Sequence, residues 1–294
     1  MASRSTVSTL VAVAAVLGAS GFAASAVAMA RAKAAAARSK DNLRTIFQGM
    51  DGHAGAYGFF PGNGGPPPEA VTTPDCRTKY PDSEAFRWGY GDPKRAGKLQ
   101  TGSWAYAILP YVGEEEAFRK QDHSRAVPAY YIGARRPAEP QSTPRELAVY
   151  PKYETFDAGI GPTGRTDYAA NDQVCRNGAG NGGLKPDAIR DGLAETLLAG
   201  EKALDTRSVA AGFWYWDQPI ILGNSGGTGR KGSKLLHDSD GLGYQVNDNW
   251  GSPDPDGVWF LFCDGHVRKL PHSTPSRVVA ATVTPAAGDL VDLD

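Results

Sequence analysis

Cysteine is scarce. The chain has three in 294 residues, Cys76, Cys175 and Cys263, and none forms a C-x-x-C pair. That removes the usual framework of a structural zinc site. Outside the cytoplasm two of the three could be joined. Cys76 and Cys175 lie in Gly/Pro/Asp-rich stretches and are the candidates. Cys263 reads as a buried strand residue, and three free thiols are the alternative. A surplus of basic residues is also missing. Lys and Arg number 31 against 32 Asp and Glu, a formal net charge of -1. This excludes a large electrostatic footprint for nucleic acid.

Charge disappears altogether from Val7 to Ala30. About 24 residues at 1.5 Å each reach ~36 Å, enough to cross a bilayer. The same run also reads as a secretory signal. Arg4 is then the n-region, Leu10–Leu17 the h-region and Ala26-Val27-Ala28 the cleavage site. Either reading carries the rest of the chain out of the cytoplasm. Arg31, Lys33, Arg38 and Lys40 follow the run, and by charge alone they would hold that side in the cytoplasm. The remainder of the sequence is set against that rule.

Glycine (36) and proline (21) are plentiful and predict irregular loops. Six Trp, twelve Tyr and ten Phe supply a core, so the chain is not disordered. Leu43, Ile46, Phe47, Met50, Ala54 and Tyr57 recur at helical spacing and predict one buried face. The expected organisation is a membrane anchor or signal over 1–30, an amphipathic helix over 31–60 and a head over 61–294.

Within the head, Val127–Ile132, Thr166–Asn171, Thr196–Leu204 and Phe213–Leu222 read as strands or strand ends. Thr101–Phe118 has near-helical spacing around Pro110. The clearest signal is Val258–Leu270, two β-prone arms flanking Asp264-Gly265, which suits a two-residue type I′ hairpin. The first arm is apolar on both faces and predicts a covered, central strand. Thr274-Pro275 predicts the start of a helix running to Thr282, and Leu290–Leu293 a final strand. The fold class is α+β: a long N-terminal helix on a mainly antiparallel β head.

Several segments, in order, resemble one family, the planctomycete-type prepilin-like proteins of unknown function with an H-x(9)-DG signature. Asp41-Asn42-Leu43-Arg44 and Tyr57-Gly58-Phe59-Phe60-Pro61 are similar to its helix and the exit from it. Ser103-Trp104 with Leu109-Pro110-Tyr111 is similar to its second block. Ile189–Glu201 resembles its I-x-D-G-x-S-N-T-L-L-x-G-E block. Gly251-Ser252 and Phe260–Arg268 resemble its hallmark, and Val279–Leu293 its tail. The signature positions are thereby Asp191, Gly192, Glu201, Asp264 and Gly265. The resemblance implies a pilin-like, pseudopilin-like envelope protein, anchored in the inner membrane or exported, with a structural or assembly role and contacts to itself or to other pilin-like subunits. Two departures stand out. The leader Gly-Phe-Thr-Leu-Ile-Glu does not precede the apolar run. The histidine expected ten residues before Asp264 is replaced by Asp254.

Few residues point to chemistry. Gly223-Asn-Ser225-Gly-Gly227 fits G-x-S-x-G, but such a serine needs a histidine base held by a carboxylate. No histidine here has that context, so the segment reads as a flexible loop and the protein as a non-enzyme. Asp238 and Asp240, with Asp254 and Asp256, gather oxygens of the kind calcium prefers. Plain Asp-Gly turns explain them as well. Glu195 and Glu201 would share a strand face. No other cofactor is implied. A second reading is a secreted ligand- or carbohydrate-binding module using Trp214, Trp216, Trp250 and Trp259.

Overall fold

The computed structural model describes residues 34–66, 89–141, 161–209, 217–239 and 241–289. The chain divides into two compact units, one ending at Arg38 and one starting at Ser39. A helix, α1, covers 34–57. Its first turns belong to the first unit, and everything below concerns the second. The expected anchor over 1–30 lies outside the described residues. Among the described residues no helix is long and apolar enough to cross a membrane.

The centre of the second unit is a five-stranded sheet. Its strands are β2 (Tyr168–Asn171), β3 (Leu197–Glu201), β5 (Gly229–Arg230), β8 (Val258–Phe262) and β9 (Val267–Leu270). They lie in the order β5-β2-β3-β8-β9. All neighbours are antiparallel except β2 and β5. Two small sheets flank it. One pairs β1 (Gly89–Tyr90) with β4 (Leu222–Gly223), and the other pairs β6 (Leu235–His237) with β7 (Trp250–Ser252). Among the described residues there are also four short α-helices, α2 (Trp104–Ala107), α3 (Glu115–Lys120), α4 (Thr206–Val209) and α5 (Ser276–Val283), and several 3-10 turns. The class is α+β, as the residue patterning predicts.

The two-residue period of strands sorts the core into two layers. Tyr168, Ala170, Ala199 and Leu261 share one apolar cluster with Leu43, Ile46 and Met50 of α1, and Trp259 packs against it. Ala169, Leu197, Val258, Phe260 and Phe262 face the other way, onto Trp250 and the α5 residues Val279 and Val283. A bulge between Leu197 and Ala199 resets the alternation of β3. Glu201 therefore faces α1. Glu195 lies in a turn closed by its own N–H to the Gly192 carbonyl, so the two glutamates share no strand face.

The hairpin forms where expected, with a different turn. Gly265 N–H donates to the Phe262 carbonyl and Phe262 N–H to that of His266. Gly265 has φ +92, whereas Asp264 is not in the left-handed region. This is a three-residue loop with a glycine bulge, not a type I′ turn, because Cys263 leaves the ladder. Val127–Ile132 is no strand, because Pro128 opens a 3-10 turn over Pro128–Tyr130. The run Phe213–Leu222 contributes only Leu222 to a strand among its described residues. The last helix starts one residue late, with Pro275 itself at the cap position and no capping side chain. Leu290–Leu293 lies outside the described residues.

Candidate functional site: a buried polar row and an ionic centre

Strand β3 ends at Glu201 and Lys202 follows it, and the two charged side chains point to opposite sides. Glu201 and Lys202 are 1% and 0% exposed, so each must find partners inside the protein.

Glu201 sits in a polar row across three strands. Tyr168 on β2 is its direct cross-strand partner, and the β3–β8 register brings Trp259 to its other side. Two α1 residues, three apart and hence on one helix face, close over this row. The Ser39 hydroxyl donates to Glu201 Oε1 at 2.5 Å and lies 2.9 Å from the Tyr168 hydroxyl. Asn42 Nδ2 donates to the Tyr131 carbonyl at 2.9 Å and to the Tyr168 hydroxyl at 3.1 Å. A carbonyl can only accept, so the Tyr131 contact fixes the Asn42 amide orientation. The chain of donors then runs one way, from Asn42 through Tyr168 and Ser39 to Glu201. The Trp259 backbone N–H donates to Oε2 at 2.9 Å, and the Ser252 hydroxyl donates as well. Burial lifts the Glu201 carboxyl to about 7. The bonds from Ser39, Trp259 and Ser252 and the field of Arg135 pull the other way and lose.

Lys202 faces an ionic centre assembled from four distant segments. Its ammonium donates to Asp217 Oδ1 at 2.9 Å and to the Gly227 carbonyl at 2.8 Å. Arg136 grips Asp217 with two nitrogens, one of them at 2.8 Å, and reaches Asp167 at 2.7 Å. Arg165 donates to the Asp217 backbone carbonyl. Arg135 pairs with Asp238 at 2.7 Å and Asp167 at 3.5 Å. Burial alone would raise Asp217. Arg136, Lys202 and Arg165 overcome it and hold the carboxyl far below the usual carboxylate range. Burial pulls Lys202 down to about 7 against the attraction of Asp217.

The positions singled out in the sequence fall in separate places. Asp191 accepts the N–H groups of Ala287 and Gly288 at 2.8 and 2.9 Å and so fastens the segment after α5. Gly192 has φ +100 and makes the turn before β3. Asp264 accepts from His266 N–H and Nδ1 at 3.0 and 2.7 Å. Gly265 lies under Phe47. Only Glu201 belongs to the polar row.

Of the four aspartates offered for calcium, the three that are described do not converge. Asp238 is taken by Arg135, while Asp254 and Asp256 face Lys269 at 2.7 and 3.9 Å. Asp240 lies outside the described residues. Among the described residues no group of three His, Cys, Asp or Glu could hold a metal ion. Ser225 is 3% exposed. Its hydroxyl donates to Gln218 and accepts from Gly227 N–H at 2.9 Å, so the G-x-S-x-G segment is a self-bonded turn. Cys175 is a free, buried thiol, which replaces the Cys76–Cys175 pairing; Cys263 is free as well. Trp250 is fully buried, its indole N–H on the Gly232 carbonyl at 2.8 Å. Trp214 and Trp216 lie outside the described residues.

The ionic centre has no sequence signature, since nothing local marks its members as neighbours. The adjacency of Glu201 and Lys202 at the end of an apolar strand is the one usable hint.

An α+β head whose central strand ends in two buried charges defines the class of the protein. The chain belongs to the family described as "Protein of unknown function (DUF1559)", which matches residues 28–277. No curated protein and no solved structure matches it.

Proposed function

We propose that this is a non-enzymatic, pseudopilin-like protein of the cell envelope. Its helix acts as a stem and its head as the working part outside the cytoplasm. One observation carries the reading. Helix α1 packs into the head through Leu43, Ile46 and Met50, and in sequence it follows the uncharged run from Val7 to Ala30. A stem fixed this firmly transmits position and load between a membrane and a head. In this reading the protein works through helix packing and head-to-head contacts with copies of itself or similar subunits. The six family-like blocks in sequence order support it.

The binding-module reading draws less support, because Trp250 is wholly internal and Trp259 is stacked between Lys40 and Lys269 at 5.9 and 5.3 Å.

A reporter active only in the cytoplasm, fused after Asp294, tests the topology. It is expected to stay silent while the protein sediments with membranes. Strong reporter activity overturns the reading and restores the charge rule. A mature chain found soluble, without its first ~30 residues, favours export over anchoring by the signal-peptide logic.

A further inference from the structure

We infer that Glu201 is a proton-operated latch between α1 and the sheet: protonated, it lets the helix seat on the β2–β3–β8 face, and ionised, it loosens that seat.

The argument starts from the partners. Glu201 touches only neutral donors: the Ser39 hydroxyl of α1, the Trp259 N–H of β8 and the Ser252 hydroxyl of β7. Other groups approach from every packed element. On α1 these are Asn42, spent on Tyr168, and Lys40, stacked on the Trp259 ring. On β2 it is Tyr168, and just before that strand Asp167, held by Arg136. On β9, Lys269 lies over Trp259 and pairs with Asp254. Arg135 is committed to Asp238 and Asp167 and acts on Glu201 only through its field. Lys202 points away, to Asp217. A carboxylate walled in without a contacting cation is costly, and three neutral bonds do not replace water.

The protonated acid fits once the Ser252 hydroxyl turns. The Ser252 hydroxyl already accepts from Asp254 N–H at 3.1 Å, and it can accept from the acid instead of donating to it. Ser39 keeps its bond to Oε1, and the one-way donor chain from Asn42 is preserved. When α1 lifts, Ser39 leaves and water reaches the carboxyl. Ionisation therefore favours the lifted state. Ser39 is also the first residue of the second unit, so the latch lies wholly within that unit.

The sign follows from linkage. The seated carboxyl titrates near 7 and the freed one near 4.5. Seating is strongest below about 4.5, weakens as pH rises towards 7 and is flat above.

The test is hydrogen exchange of the α1 amides in the full-length protein, corrected for intrinsic rates. The opening equilibrium is expected to rise by up to about tenfold per pH unit between about 4.5 and 7. Glu201→Gln is expected to flatten that rise. A wild-type profile that is already flat, or a slope that survives in Glu201→Gln, overturns the latch. If Glu201→Gln does not fold, infrared spectroscopy on the wild type decides. A protonated-carboxyl band lost with a midpoint near 7 supports the latch, and no such band above pH 6 overturns it.

Discussion

Gly265 lies directly beneath Phe47, so that a Cβ built on the glycine would stand 2.4 Å from ring atom Cε1. The tip of the last hairpin thus presses on the stripe of the first helix.

Two substitutions test the packing of the hairpin, one on each side. Gly265→Val adds a branched side chain at φ +92 and drives it into Phe47. Phe260→Ala empties a site that is 0% exposed and set edge-on to Trp250 at 5.4 Å. We expect a loss of ~3–5 kcal/mol for Phe260→Ala, and a comparable loss for Gly265→Val from strain and clash together. Thermal or urea unfolding of the full-length chain measures both. Melting with the parent would make Val258–Leu270 a surface loop.

The ionic centre should tolerate no single deletion. Asp217→Asn leaves Arg136 and Lys202 buried without their shared anion. The expected cost is ~3–5 kcal/mol, the figure for breaking a buried pair from one side. A denaturant midpoint unchanged from the parent would show that the pair contributes nothing.

Cys175 and Cys263 are 0% and 3% exposed, and burial raises both thiols above their ordinary value. Thiolate is the reactive form. A thiol reagent should therefore leave both untouched in the native protein and label both after denaturation. Mass spectrometry of digested, labelled protein reads this directly. Rapid native labelling of either would place it at the surface.

Ser225 should resist a fluorophosphonate probe, because its hydroxyl is engaged with Gln218 and Gly227. Ser225→Ala should cost about 1 kcal/mol, the net worth of an ordinary hydrogen bond. Covalent labelling of Ser225 would reinstate the hydrolase reading.

The hairpin was legible because one arm is apolar on both faces, a pattern that belongs to covered strands. Its turn was not, because Asp-Gly serves equally as the centre of a two-residue turn and as the end of a three-residue loop. The difference lies in whether Cys263 stays in the ladder. The α1 stripe was legible by period over its first turns, where Leu43, Ile46 and Met50 are all 0% exposed, but the period carries on to Tyr57, which is 41% exposed because the helix ends there against no sheet. Glu201 was singled out by resemblance and by its spacing from Glu195, and neither points to its partners. Its partners lie 33 to 162 positions away, and spacing rules see no further than one element. The Arg135–Arg136 pair reads locally as part of a proline-rich connector, yet both are internal, because burial there is set by Asp167, Asp217 and Asp238 from elsewhere.

The seat of α1 is made of strands β2, β3 and β8, and the last of these ends at Phe262. On the ribosome the helix is therefore made before its seat and is covered only once β8 has followed. Through most of synthesis Leu43, Ile46, Phe47 and Met50 have no sheet to lie against. Pairing that waits for the far end of the chain is slow and leaves apolar surface open meanwhile. A chain released before residue 262 would lack part of its helix seat, so covering the helix has to wait for β8.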